Sequence, residues 1–548
     1  MTMFAWLAGA VVGALWRRGG RLMLWLPAPT AARWGGLLCA CAYAVLAGWG
    51  VPAQRTVWMI GVVVLLRTLG LRWPARLVLL AAAVAVTAID PWALLQPGFW
   101  LSFAAVGLLM ASESPRAGLA IDATRWARLL ATLRGGLRTQ AVATVGLAPL
   151  TLIFFQQLSL VGFAANLVAI PLVTLLITPL ALIGILVPAC WPLAGALVQG
   201  LSALLALLAQ WPLAQWTAAA APLWAALAGL LGGTLLVLPL PWRWRALGLP
   251  LLLPLLAPPL LRPPHGGFET VVADVGQGTA VLLRTRRHLL VYDAGPRYSP
   301  AADAGQRVLL PLLRARGETR IDLLMLSHRD SDHVGGAAAL LAHGGVAALS
   351  SSLADDHALL ASGVAHSRCD AGQSWVWDGV HFEVLHPRAE DHASVSKANA
   401  LSCVLRVQGE RHSLLLSGDI EAAQEAALLA RGAALRSSVL LVPHHGSRTS
   451  STPAFIDAVA PHTAVVQAAY RSRYGHPAPD VQARYEARGI SFVRSDRCGA
   501  WTLAADGASH CERERARRYW HHRSVPSGAA SAAAGAAGAN PPQTAAHR

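Results

Sequence analysis

The sequence predicts a multi-pass α-helical membrane domain followed by a globular α/β domain that carries a metal site. Three observations predict it. Composition divides the 548 residues. The first half is rich in Leu, Ala, Val and Trp and almost free of acids, whereas 268–520 has the mixed composition of a domain able to bury a full core. Apolar stretches recur in the first half at close to the ~20 residues that cross ~30 Å of hydrocarbon. Finally, Ser327-His328-Arg329-Asp330-Ser331-Asp332-His333-Val334-Gly335-Gly336 packs two His and two Asp into six positions.

The membrane domain is expected over 1–262. Candidate spans are 4–15, 35–48, 57–71, 77–89, 92–110, 140–155, 160–187, 191–209, 223–238 and 247–261. Roughly eight to ten crossings follow, because 160–187 reads equally as one tilted helix or two broken ones. A large helical core in water does not fit, since nothing polar would cover its outside. The net charge of +16 is nearly all Arg. Much of it sits beside spans, at Arg17, Arg18, Arg21, Arg72, Arg76, Arg116, Arg125, Arg128, Arg134, Arg138, Arg243 and Arg245. That is the positive-inside bias, and it makes the 116–138 loop cytoplasmic. A nucleic-acid surface is compatible with this charge but not shown by it. Ser102, Gln140, Gln156, Gln157, Asn166, Gln199 and Gln210 are polar positions in or beside spans. Each reads as an interhelical hydrogen bond or as part of a polar path. Pro97, Pro171 and Pro179 are expected to break helices.

The start, Met1-Thr2-Met3 running directly into an apolar segment, reads as a cut N-terminus. Seven cysteines, an odd number, argue against a disulfide framework. Cys39, Cys41 and Cys190 read as packing at lipid level. Cys369, Cys403, Cys498 and Cys511 lack metal spacing, and a Cys498–Cys511 bridge is open if the domain is periplasmic. The Ala/Gly/Pro-rich tail 524–548 is expected to be disordered.

In the globular part, strands are predicted at 270–274 and 279–285 around the turn Gly276-Gln277-Gly278, and at 288–292 before Asp293. A helix follows over about 306–316. The apolar run 321–326 reads as a strand that empties into the His/Asp loop, with a helix from about Ala337. Further strands are predicted at 380–385, 402–408, 413–417, 439–442 and 464–467. These lead into His386-Pro387, Gly418-Asp419, Pro443-His444-His445-Gly446-Ser447 and Tyr474-Gly475-His476-Pro477. Polar clusters that repeatedly follow apolar strands suit a site on one rim of packed sheets. Imidazole with carboxylate suits Zn or Mn, and a metal there can activate water. His386 and His462 read as loop residues.

The order Asp274-Val-Gly-Gln-Gly, Asp293, His-x-Asp-x-Asp-His, Ser-Gly-Asp419 and His-His-Gly-Ser resembles the metallo-β-lactamase superfamily, over about 270–501. The resemblance implies an αββα sandwich over 268–520, with two divalent ions, Mn or Zn, on one edge. It implies His328 and Asp330 on one ion, Asp332 and His333 on the other, Asp419 bridging, and His445 completing a shell with His444 as its rival. Asp332 would sit near the attacking water. His476 would be a ligand or donate to the leaving group. Asp274 and Asp293 would bond the ligand loop and orient its rings. The superfamily more often carries His at the position of Asp330, and Asp there shifts preference toward Mn or Mg. Asp330 also reads as a capping residue. Thr279 stands where relatives often have Asp. Asn399 and Ser402 fall where a third His often lies, and read as structural.

Together with Gly48-Trp49-Gly50-Val51-Pro52-Ala53-Gln54-Arg55, Gly98-Phe99-Trp100-Leu101-Ser102-Phe103 and Asn166-Leu167-Val168-Ala169-Ile170-Pro171, this resembles the ComEC/Rec2 family of competence proteins. The resemblance implies an inner-membrane channel for single-stranded DNA with a periplasmic nuclease domain that degrades the other strand. Members usually begin with further spans and a small β-domain, so the chain resembles a truncated one. Arg436, Arg448, Arg471 and Arg473, near the histidine loops, would hold phosphates. Implied partners are DNA, membrane lipid, a DNA receptor, single-strand-binding proteins, a cytoplasmic ATPase and a second copy of the chain. No Walker-type phosphate loop occurs in the sequence. Two other readings stand beside this one: a DNA channel whose metal domain does not cut, and a membrane-anchored hydrolase of a small substrate.

Overall fold

The computed structural model describes residues 1–112, 125–394 and 397–522. Arg116, the side chains of Arg125 and Arg128, and the tail 524–548 lie outside the described residues. The chain forms two compact units, Met1–Pro259 and Leu260–Arg548.

The first unit is helical, and a helix overlaps each candidate span, though 247–261 is helical only over Gly248–Leu256. Thr2–Arg18 and Ala28–Leu46 lie close together because small residues line their contact. A Cβ on Gly9 would fall 2.6 Å from the Ala32 carbonyl oxygen, and one on Gly36 would strike that of Ala5. Small residues take this role where lipid removes any hydrophobic drive between helices. Two of the sequence motifs meet: Arg55, in Val51–Thr68, packs its guanidinium on Gly98 at the start of Pro97–Ser112. Arg55 is buried.

The prolines do not break helices as expected. Pro97 occupies a first turn, where a missing N–H costs nothing, while Pro179 follows a π turn inside a longer helical run. Pro171 is followed by a π turn, Val173–Ile177, inside one helical run, Gly162–Ile183. The ladder slips by one residue to absorb the lost donor. Part of the expected 116–138 loop is helix: Arg134 and Arg138 lie on Arg125–Phe155. Among the described residues, Leu130–Phe155, Gly162–Ile183 and Cys190–Ala209 are long and apolar enough to cross a membrane. Ala75–Ile89, Pro97–Ser112 and Leu223–Val237 are apolar but shorter. Their large side chains face outward: none of the Gly162–Ile183 window is buried. Water does not tolerate so much contiguous apolar surface, so lipid is its solvent.

In the second unit the strands are β1 (Glu269–Val272), β2 (Val281–Arg284), β3 (Leu289–Tyr292), β4 (Leu323–Leu326), β5 (Ala348–Ser351), β6 (Ala365–Arg368), β7 (Ser374–Trp377), β8 (Val380–His386), β9 (Val404–Gln408), β10 (Ser413–Leu416), β11 (Val439–Leu441), β12 (Thr463–Val466), β13 (Ser491–Arg494), β14 (Trp501–Leu503) and β15 (Ser509–Cys511). Among the described residues they form two sheets, ordered β6-β5-β4-β3-β2-β1-β14-β15 and β7-β8-β9-β10-β11-β12-β13, and Arg297–Ser299 pairs with Ala302–Asp303 as a separate short hairpin. Phe268, Val281, Leu283, Leu290, Phe382, Leu405 and Leu414 fill the space between them. Leu310–Ala315 and Ala337–His343 cover the outer face of the first sheet. Ala422–Ala430, Pro453–Val459 and Pro479–Glu486 cover the second. This is an αββα sandwich. His386 ends β8 rather than lying in a loop; it is buried, with Nε2 2.9 Å from the Ala400 carbonyl.

The disulfide expectation is corrected. Cys369 pairs with Cys403 and Cys498 with Cys511. The odd count reflects Cys39, Cys41 and Cys190, which lie free in the helical unit. Cys369 follows β6 and Cys403 precedes β9, so the bridge joins the two sheets.

Candidate metal centre

Parallel strands β4, β10 and β11 end at one rim, and each delivers its polar cluster there. His328 follows β4, with one Ser between. Asp330 begins the turn Ser331–Val334, which carries Asp332 and His333. Asp419 follows β10 through Ser417-Gly418, and His444 and His445 follow β11 through Val442-Pro443.

The side chains converge. His333 Nε2 lies 3.3 Å from Asp419 Oδ1, and His445 Nε2 lies 3.5 Å from Asp419 Oδ2 and 3.3 Å from Asp332 Oδ2. Ligand atoms of His328, His333 and Asp419 all lie within 4.8 Å of one another, as do those of Asp332, His333 and His445. One imidazole nitrogen holds one ion, so His333 belongs to one of the two groups. Asp419, with an oxygen toward each, is the side chain able to serve both.

Whether this set suits a cation is tested by its unpaired atoms. His328 Nε2, His333 Nε2, His445 Nε2 and Asp419 Oδ1 are buried with no hydrogen-bond partner among the described residues. Such atoms gathered at the two ligand groups would be costly in a dry protein interior. Divalent cations at the two groups would satisfy them, so the residues fit. The electrostatics agree. Burial pushes the Asp419 carboxyl up, but the His333 and His445 imidazoles outweigh it and hold it well below the carboxylate range. Asp332 is likewise held down to about 2 against burial, by His445 and His333. Burial lowers His333, but Asp419 and Asp293 outweigh it and hold the imidazole well above its usual value. Protons stand where positive charge is wanted.

The outward nitrogens are fixed from behind. His333 Nδ1 lies 2.8 Å from Asp293 Oδ2. The same carboxylate accepts from the Ser327 N–H at 2.7 Å and its hydroxyl at 2.8 Å. His445 Nδ1 donates to the Gln467 carbonyl at 3.0 Å. His328 Nδ1 faces the hydroxyls of Ser327 and Ser402, at 3.0 and 3.3 Å. Such contacts choose the tautomer that points Nε2 at the site. Asp293, His444 and His445 all take left-handed backbone angles, with φ of +57°, +50° and +53°. Non-glycine residues pay roughly 1–3 kcal/mol for that, which surrounding packing must offset.

The structure places the other expected residues as follows. Asp330 stands at the edge: its side chain is 48 % exposed, 3.5 Å from His328 Nε2, and in neither ligand group. His444 borders the centre but is in neither ligand group. Its Nδ1 meets Thr449 Oγ1 at 3.1 Å, and its Nε2 is 3.9 Å from Asp419. Burial lowers the His444 and His476 imidazoles below their usual values. The His476 ring flanks that of His445, with centroids 6.4 Å apart.

Asp274 does not reach the ligand loop as expected. Its carboxylate accepts from Arg513 at 2.8 Å and from the Gly276 N–H at 3.4 Å. The neighbouring backbone makes the contact instead: the Thr279 N–H donates to the Asp332 carbonyl at 3.1 Å. A Cβ on Gly278, at φ +137°, would strike that carbonyl. The Thr279 side chain is therefore not needed for this contact. Of the expected phosphate-holding arginines, Arg448 pairs with Asp480 at 3.2 Å. Arg471 and Arg473 lie over the rings of Tyr470 and Tyr474. Arg436 precedes β11 and so lies at the end of that strand opposite the histidines. Ser327, Gln277 and Gln467 stood in the sequence motifs and strands without an assigned role. Gln467 is 2 % exposed and binds the Ala273 and Ala280 carbonyls at 2.7 and 3.0 Å. A lone Gln closing an apolar strand was the available signal.

Comparison with known proteins agrees with this division. The family described as Competence protein matches residues 4–243, and the Metallo-beta-lactamase superfamily matches 273–469. Competence protein ComA of Neisseria gonorrhoeae is 35 % identical over 95 % of this chain and 71 % of its own length. Recombination protein 2 of Haemophilus influenzae is 28 % identical over 82 % of this chain and 60 % of its own. The chain thus spans three-fifths to seven-tenths of these relatives. The metallo-β-lactamase fold protein YhfI of Bacillus subtilis aligns with 41 % of this chain and 96 % of its own, at 11 % identity and a TM-score of 0.29. The chain belongs to the ComA/Rec2/ComEC-like family of competence proteins: a helical membrane region joined to a metallo-β-lactamase domain.

Proposed function

We propose that 1–262 contributes to an inner-membrane channel that admits single-stranded DNA during natural transformation, and that 268–520 is a nuclease that degrades the strand left outside. The observation that carries this reading is the convergence of unpaired His and Asp atoms at the rim of a domain joined to lipid-facing helices. A polyanion cannot cross hydrocarbon without a lined path, and hydrolysing one strand leaves the narrower one to pass. The two disulfides favour an oxidising, periplasmic setting for the domain. Since the chain has no Walker-type loop, a separate ATPase or another force drives transport.

The residues support phosphodiester hydrolysis. Two ions, Mn or Zn, held by His328, His333, Asp332, Asp419 and His445 with Asp330 at the edge, would supply Lewis acidity toward the attacking and leaving oxygens. Asp332, anchored by His445 and ionised at neutral pH, orients the attacking water and accepts its proton. His476, beside His445, is placed to donate to the leaving oxygen. Asp293 and Gln467 hold the rings.

The full-length chain in detergent, with Mn²⁺ or Zn²⁺, is expected to cut labelled duplex DNA. Asp332→Ala is expected to lower the rate roughly 10²- to 10⁴-fold. Inactivity of the wild-type chain with every divalent metal would overturn the nuclease. Transformation that persists in an Asp419→Ala strain would turn the domain into a non-cutting one.

A further inference from the structure

Beside the metal centre the domain turns aromatic rings outward. Tyr470 is 51 % exposed, Tyr474 56 % and Trp520 39 %. The domain's other large rings mostly do the reverse: Phe268, Tyr292, Phe382, Phe455 and Tyr485 are fully buried. Exposing a ring that the core could bury forgoes burial free energy, so these positions need a reason. Each of these three rings has an arginine against it. The guanidinium of Arg471 lies 5.3 Å from the Tyr470 ring, that of Arg473 4.7 Å from Tyr474, and that of Arg518 5.7 Å from Trp520. Tyr470 stacks on His522 at 4.2 Å, which joins the two chain segments into one surface.

That surface leads to the site. The Tyr474 ring lies 5.8 Å from His476, which flanks His445. The loop between the tyrosines is pinned: Gln277 Oε1 accepts from the Ser472 hydroxyl at 3.0 Å and from the Ala469 N–H at 3.4 Å. Gln277 immediately precedes Gly278, whose turn backs the Asp332 carbonyl. The rings are therefore held in register with the ligand loop.

We propose that Tyr470, Tyr474 and Trp520, with Arg471, Arg473 and Arg518, form a stacking platform for single-stranded DNA that feeds the metal centre. Its choice of ligand rests on the nuclease reading above. Rings present faces that any base can stack on, and interleaved guanidinium groups meet the phosphates, so the binding is independent of sequence. Tyr, Trp and Arg also suit a membrane interface, but these rings are tied to the ligand side of the domain: Tyr474 lies 5.8 Å from His476, and Gln277 pins the loop between the tyrosines.

The test uses the full-length chain in EDTA, so that binding is read without cutting. The probe is a fluorescent 20-nucleotide oligothymidylate at fixed salt, followed by anisotropy. Tyr470→Ala and Trp520→Ala are each expected to weaken binding at least about fivefold, since stacking is worth ~1–3 kcal/mol per base. Tyr470→Phe and Trp520→Phe, which keep a ring, are expected to stay within about twofold. Hydrolysis of bis(p-nitrophenyl) phosphate with Mn²⁺ should be unchanged in all four variants, which separates the platform from the metal centre. Alanine variants that bind like wild type would overturn the platform and leave the nuclease reading intact. Wild-type failure on the small diester with every metal would sink the nuclease, while the binding arm would still judge the platform. Oligonucleotide binding lost when detergent is exchanged for lipid discs would assign the rings to the membrane surface and overturn the proposal.

Discussion

Asp293 shows how much one side chain decides here. Fully buried and at φ +57°, it ties the Ser327 backbone and hydroxyl to the His333 ring. Asp293→Ala is expected to weaken Zn²⁺ or Mn²⁺ binding roughly 10- to 100-fold, measured by competition with a chromophoric chelator. His333 sets a pH dependence with a definite sign. Asp419 and Asp293 hold its imidazole above the usual value, so in the metal-free site it keeps a proton further up the pH scale. A metal must displace that proton. Affinity is therefore expected to keep rising with pH through and beyond the ordinary histidine range. Calorimetry in buffers of different ionisation enthalpy should show proton release on binding. At this scale the ligand chemistry was legible, because His and Asp in a tight box after an apolar strand announce themselves. The preference for His445 over His444 came from the family resemblance rather than from local pattern, since both follow the same strand. In the structure His445 lies in a ligand group, while His444 Nδ1 meets Thr449 Oγ1.

Elements carry the next set of expectations. The turn after β1 works through its backbone, and Gly278→Val would drive a side chain into the Asp332 carbonyl. The ligand loop would shift, and metal binding should fall together with thermal stability. In the helical unit, Gly36→Leu would push Ala28–Leu46 off Thr2–Arg18. The expected result is a lower unfolding temperature in detergent. Asp378 gives an independent acid response. It accepts from the Thr285 hydroxyl and the Arg287 N–H at 2.7 Å and faces His288 Nδ1 at 3.0 Å. Burial opposes ionisation, but these contacts prevail and hold the carboxyl down to about 2. A depressed carboxyl contributes stability above its unfolded value, near 3.8, that is lost as pH falls toward 2. The wild-type melting temperature should therefore fall over that window, and Asp378→Asn should fall less. The strands before the ligand clusters were readable as apolar runs. β5, β6 and β7 were not, because Ala-Leu-Ser-Ser, Ala-His-Ser-Arg and Ser-Trp-Val-Trp are short and mixed and gain their strand character from neighbours.

The whole molecule is a lipid-solvated helical unit followed by a cross-braced sandwich. The Cys369–Cys403 bridge joins the sheets beside His328, since the Cys403 N–H donates to the Ser327 carbonyl at 2.9 Å. The double substitution Cys369→Ala/Cys403→Ala should cost the sandwich about 2–4 kcal/mol, read as a lower melting temperature of that unit alone. Sequence by itself determined the division into apolar and globular parts, the residue types gathered at the candidate site and the order of the strands that carry them. Hydropathy and ligand type are properties of residues and short windows, so they survive in a linear reading. Only the tertiary structure decided that Asp419 turns an oxygen to each ligand group, that Gln467 fixes His445, that Cys369 and Cys403 pair across the sheets, and that Pro171 sits in a helical run without ending it. Those outcomes depend on strand order, register and packing between residues far apart in the chain, and no local window contains them.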